Sequence, residues 1–113
     1  MSTRAKRLTA TLSLREVFAR NVRLVRIHAE MSQESMAHEA GLDRAFVGTT
    51  ERGARNISID NIELLSRALG IEAHELLNPA LPELRGLDPT VTRAPRTARV
   101  YPPSRRTKRK PGG

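Results

Sequence analysis

Apolar positions along the first two-thirds of the chain recur at helical intervals and do not alternate as strand positions would. Leu14, Phe18, Val22, Val25 and Ala29 follow one another at spacings of 4, 4, 3 and 4, which is one face of a helix predicted over 14–30. Ser13 precedes it with Glu16 three residues on, the pattern of a capping box. A second, shorter helix is predicted over 33–40, with Met36, Ala37 and Ala40 inward and Ser32 as its cap. Gly41 stops it, because a helix end often needs a left-handed residue, a conformation glycine adopts at little steric cost. Leu42 follows as an apolar plug. Asp43 is predicted to cap a third helix, over about 43–52, by accepting bonds from backbone N–H groups. Ala45, Phe46 and Val47 are its apolar residues and Gly53 its stop. Beyond a loop, Asp60 is predicted to cap a fourth helix, with Ile62, Leu65, Ala68 and Leu69 on one face and Gly70 as the stop. The segment "IEAHELL" gives a fifth, with Leu76 and Leu77 inward, ended by Asn78-Pro79. The expected fold class is therefore all-α, a compact five-helix domain.

From Pro79 the pattern breaks. Leu81, Leu84 and Leu87 either extend the packing or dock a partner. Past Asp88 the chain is rich in Pro, Thr and Arg and ends in "RRTKRKPGG". Such a segment cannot bury enough apolar surface to offset its ordering entropy, so it is expected to be disordered. The expected organisation is a basic flexible arm over 1–13, a folded domain over 14–78 and a Pro/Arg-rich tail over 79–113.

Charge follows the same division. The 113-residue chain carries a net +8. The arm contributes +3 and the tail +7, whereas 14–78 holds eight arginines against ten Asp and Glu, a net of −2. Basicity therefore suggests nucleic-acid electrostatics only for the tails. Any specificity of the core has to come from where individual residues stand. Aromatic residues make up 3% of the chain, so its core must be aliphatic. The absence of cysteine excludes disulfides, thiolate metal sites and a thiol nucleophile. No apolar run reaches membrane-spanning length, and the basic N-terminus lacks the apolar stretch of a secretory signal, so a cytoplasmic location is expected. His28, His38 and His74 are scattered over different helices, and no Ser/His/Asp grouping, phosphate-binding glycine loop or carboxylate pair appears. No enzyme activity, cofactor or metal is expected.

The stretch "SQESMAHEAGLDRAFVGTTERGARN" (32–56) holds the most information. Two short helices joined by so short a turn cross steeply and need small residues where they meet. Ala37 is small at the crossing, Gly41 makes the turn and Val47 fills the wedge. This is a helix-turn-helix arrangement. It leaves the N-terminal end of the second helix free to enter a DNA major groove while the first crosses the backbone. Arg44, Ala45 and Thr49 lie on the outward face of that second helix. An arginine there can bond guanine O6 and N7 bidentately, an alanine can meet a thymine methyl, and a threonine can reach a base edge or a phosphate. A merely solvated helix face is the competing reading for each.

The chain from Arg26 to Leu77 resembles the Cro/repressor-type helix-turn-helix family, also called lambda-repressor-like or XRE. The resemblance is carried in order by Ser32-Gln33, Ala37, Gly41, Glu51-Arg52-Gly53 and Ala68-Leu69-Gly70. Gly48, Thr50, Ser66 and Ile57 depart from residues customary in that family. The resemblance implies that Gln33 touches a phosphate and braces the recognition helix. It also implies that Arg52, Arg55 and Asn56 contact phosphate, against a generic basic loop as the alternative, and that Arg26 and Glu51 form a structural ion pair between helices 1 and 3.

The expected function is a sequence-specific, double-stranded DNA-binding transcriptional regulator, a repressor acting as a homodimer. Leu76, Leu77, Leu81 and Leu84 are candidate interface residues. Two alternatives stand beside it. One is an antitoxin or other interaction module that engages a protein partner through 79–113, and the other is a nonspecific nucleic-acid binder driven by the tails.

Overall fold

Helix α1 (Leu14–His28) runs along the whole domain in the computed structural model, which describes residues 12–91. It is followed by α2 (Gln33–Ala40), α3 (Arg44–Glu51), α4 (Ile59–Leu69), α5 (Ala73–Leu76) and α6 (Leu81–Arg85), with no strand among the described residues. Ser13 caps α1 as the sequence predicts: its hydroxyl accepts from Glu16 N, and the Glu16 carboxylate accepts in return from Ser13 N. The helix ends two residues earlier than its apolar spacing suggests. Glu30 takes a left-handed conformation (φ 60°), and Met31 N bonds back to the Arg26 carbonyl, which closes the end in a Schellman-type turn. Leu14 and Ala29, expected to face inward, are exposed because the first and last turns overhang the core.

Phe18, Val22 and Val25 of α1 pack with Met31, Met36, Ala37, Val47, Leu65, Ile71 and Leu76 into one aliphatic cluster. Fully burying one such side chain contributes about 1.5–3 kcal/mol, so a dozen of them can hold a domain this small. Ile62, Ala68 and Leu69 of α4, with Leu42 and Leu77, close its rim. Ser58, not Asp60, caps α4: its hydroxyl accepts from Asn61 N, and Asp60 falls in the first turn instead. Either residue could cap a helix, and the chain enters this one two residues sooner.

Two expectations about the end of the domain are corrected. The helices number six among the described residues, and the packed structure runs past Asn78. Pro82 is tolerated in the first turn of α6, where no helical N–H bond is lost. Leu81 is only 1% exposed and joins the core, and Leu87 packs against it. The segment is tied down by polar groups of α1. Asn21, fully buried, donates from Nδ2 to the carbonyls of Leu76 (2.9 Å) and Asn78 (2.8 Å). Its Oδ1 accepts from Arg20, whose Nη2 also donates to the Pro79 carbonyl at 2.9 Å. Further on, Arg23 Nε donates to the Val91 carbonyl. The expected arm and the basic "RRTKRK" run lie almost wholly outside the described residues.

Candidate nucleic-acid interface

The geometry of the 32–56 stretch is set by its two helices and the turn between them. Ser32 caps α2 by accepting from Ser35 N at 2.9 Å. Gly41 ends α2 in the left-handed region (φ 72°), and Leu42 N bonds to the Ala37 carbonyl at 2.8 Å. Ala37 and Val47 are buried at the crossing of α2 and α3. Asp43 occupies the N-cap position of α3 but makes no side-chain capping bond, contrary to expectation. Only its carbonyl joins the helix, by accepting from Val47 N. Its carboxylate is left exposed at the positive end of α3.

The recognition helix is locked to the scaffold by a buried polar knot. Arg26 Nε donates to Glu51 Oε2 at 2.6 Å and Nη2 donates to Oε1 at 3.0 Å, with both side chains almost completely buried. The third arm of the guanidinium, Nη1, reaches the Met31 carbonyl. Gln33 Nε2 donates to Glu51 Oε1 at 3.0 Å. One carboxylate at the end of α3 is thus held from α1 and from α2 together. Bidentate arginine–carboxylate geometry fixes orientation as well as distance. The knot makes the tilt of α3 a property of the fold.

The outer side of α3 and its flank carry most of the residues singled out by sequence. Arg44 and Ala45 are exposed in its first turn, and Arg52 and Asn56 are exposed beyond its end. Thr49 and Arg55 are half-buried because they bind each other. Arg55 Nε donates to Thr49 Oγ1 at 2.8 Å, and the hydroxyl itself turns back to the carbonyls of Ala45 and Phe46. Phe46, which sequence assigns to the apolar side, lies outside the core cluster, and the Arg55 guanidinium stacks on its ring at 4.4 Å from the centroid. Gly48 is buried beside Arg52 and Gln33. An added Cβ there would meet Arg52 Nη1 at 3.5 Å and Gln33 Oε1 at 3.8 Å, both ordinary contacts. Thr50 is also buried, and its Oγ1 has no hydrogen-bonding partner among the described residues. Arg52 shares a shallow groove with Arg20 and Arg23 of α1, and the neighbouring carboxylates are Glu16 and the paired Glu51. Burial and the neighbouring Arg23 lower the Arg20 pKa from its ordinary value.

The expected interface residues separate into two groups. Leu76 and Leu81 are buried in the domain's own core and Leu77 is half-buried against it, so they are withdrawn from any surface. Leu84 is exposed, as are Ile59 and Leu64 of α4. The Asn21 network and the Arg55–Phe46 stack went unseen in sequence. Asn21 breaks the apolar pattern of α1, a weak signal at best, and nothing in the order of residues marks the stack. Among the described residues, no group of three His, Cys, Asp or Glu is placed to hold a metal ion, and no helix is long and apolar enough to cross a membrane.

Comparison with known proteins agrees with this geometry. The helix-turn-helix family is matched over residues 22–76. The chain is 44% identical over 72 residues to the Neisseria hypothetical transcription factor of Neisseria meningitidis, which covers 64% of this chain and 68% of that protein. It is 44% identical over 69 residues to control protein C.BamHI of Bacillus amyloliquefaciens, across 60% of this chain and 85% of that one. The crystal structure of the Neisseria factor superposes with a TM-score of 0.60, covering 65% of this chain and 84% of the other. The restriction-modification controller protein C.AhdI from Aeromonas hydrophila superposes with a TM-score of 0.54 at 45% identity, over 55% of this chain and 94% of that one.

Proposed function

The chain belongs to the helix-turn-helix family of DNA-binding transcriptional regulators, and on that premise we propose that it reads a specific operator by placing α3 in the major groove. The observation that supports this best is the Arg26–Glu51–Gln33 knot. It fixes α3 from behind while Arg44 and Ala45 stay exposed at the N-terminal end, the end that meets base edges in such motifs. Arg44 is assigned to a guanine and Ala45 to a thymine methyl. Asp43, free of a capping duty, is available to accept from a cytosine N4 amine. Gln33, Arg52, Arg55 and Asn56 are assigned to phosphates, which set register without reading sequence. Thr49 supports this face through Arg55 rather than by reaching a base.

The regulator acts as a homodimer on a two-fold operator with half-sites about one helical turn (~34 Å) apart, and represses by occluding the promoter. Exposed Ile59, Leu64 and Leu84 are the large apolar side chains available for a second copy. Two of the relatives are described as control proteins of restriction-modification systems, and control of an adjacent gene set is the corresponding role here. The chain is assigned to the cytoplasm, with no enzymatic activity. The reading as an antitoxin loses support because residues 79–87 pack on the domain's own α1, and with it the protein partner expected for 79–113. Arg44→Ala tests the assignment. It is expected to keep the folded helix content and to relax the preference at one base pair in each half-site. Unchanged preference at every position would overturn the role of α3.

A further inference from the structure

We propose that Phe46 and Thr49 are positioning residues that hold Arg55 as a preformed clamp for a DNA phosphate at the flank of α3. The inference rests on the DNA-reading role of α3 and extends it to how one cation is aimed. Arg55 follows the helix by four residues, in a loop, and its long side chain has no helical geometry to direct it. Two contacts do so instead. The Phe46 ring lies under the guanidinium plane at 4.4 Å, and Thr49 Oγ1 accepts from Nε at 2.8 Å. The threonine is itself anchored, since its hydroxyl lies 3.1 Å from the carbonyls of both Ala45 and Phe46. Its hydrogen therefore points into the helix, and a lone pair faces Arg55.

This accounts for two residues that otherwise have no role. Phe46 is an aromatic side chain outside the core, half-exposed on a helix face that is polar around it. Thr49 carries a hydroxyl that is already engaged and so is poorly placed to read a base. Together they use one edge and one face of the guanidinium. No described residue bonds to either Nη atom, so the outer fork stays open, and a planar fork of this kind matches two phosphate oxygens. Stacking on an aromatic face adds attraction without spending a donor. Holding the side chain before DNA arrives removes much of the ordering cost of binding. The location favours phosphate over a base. The N-terminal residues of the recognition helix enter the groove, whereas Arg55 lies past the opposite end.

The test uses the full chain and a duplex carrying the operator recovered by selection, with binding followed at several salt concentrations. Arg55→Ala is expected to weaken operator and scrambled duplex by the same factor, on the order of tenfold, and to lower the salt slope by about 1. Phe46→Leu and Thr49→Val should each weaken binding roughly threefold to fivefold when Arg55 is present, and change it by less than about twofold in the Arg55→Ala background. Without DNA, nitrogen-15 relaxation at Arg55 Nε–H should report a more mobile guanidinium in both variants, which a purely structural role would not produce. Equal losses with and without Arg55, or no loss when Arg55 is intact, would overturn the positioning role. A change of preference at one base pair on Arg55→Ala would overturn the phosphate assignment. Failure of any operator to emerge from selection would instead strike the reading of α3 on which the inference stands.

Discussion

Arg26 and Glu51 meet fork to fork across 25 residues of sequence, with Nε to Oε2 at 2.6 Å and Nη2 to Oε1 at 3.0 Å. Both side chains are buried, so the pair exchanges strong mutual attraction against a large loss of hydration. Such a pair adds little net stability but is costly to break on one side. Glu51→Ala, which strands the arginine, is expected to lower unfolding free energy by about 3–5 kcal/mol in urea denaturation. The double replacement Arg26→Met with Glu51→Leu should recover most of that loss. It should not recover operator selectivity, because the tilt of α3 would no longer be fixed from α1 and α2. Equal selectivity in the double variant would show that apolar packing alone aims the helix.

Three positions carry local costs that single substitutions should relieve. Gly48 stands inside α3, where alanine has ordinary room, so Gly48→Ala should stabilise by about 0.5–1 kcal/mol. Thr50→Val removes a buried hydroxyl that has no partner among the described residues and should add about 1 kcal/mol. Glu30 holds a left-handed backbone at the end of α1, so Glu30→Gly should add a further ~1 kcal/mol. Thermal unfolding would measure each one, and the three sites lie far enough apart in the chain to compare as separate increments.

Asn21 should control the end of the domain. Asn21→Ala leaves the carbonyls of Leu76 and Asn78 without their donors and is expected to cost about 1–3 kcal/mol. Hydrogen exchange should show the effect locally, as faster exchange over residues 80–87 while α2 and α3 stay protected. Uniform acceleration across the chain would mean that Asn21 supports the whole core and not one segment.

What was legible in sequence was what repeats with the helical period or obeys local backbone chemistry. Phe18, Val22 and Val25 announced the inner face of α1, and Gly41 and Gly70 announced helix ends that do adopt the left-handed conformation. Local rules also left ambiguities. Ser58 and Asp60 are both good caps two residues apart, and only the entry path of the chain selects the serine. Asp43 has the residue type and position of a cap, yet its side chain takes no part. Features that depend on distant contacts were not legible. Helix α6 is five residues long with a proline in its first turn, and it persists because Asn21 and Arg20, nearly sixty residues earlier, bind the segment that leads into it. The Phe46–Arg55 stack is hidden for a related reason. Periodicity marks an aromatic as inward, whereas a cation from the following loop covers this one.

The central claim is that α3 reads sequence, and selection from a random duplex pool at near-physiological salt tests it most directly. The full chain and a chain ending at Val91, which keeps α6 and its anchors but lacks the basic terminus, would be compared. The account predicts that both enrich the same inverted repeat, with half-sites about one turn (~34 Å) apart, and that the shorter chain binds it more weakly. Loss of all enrichment in the shorter chain, or none in either, would contradict it.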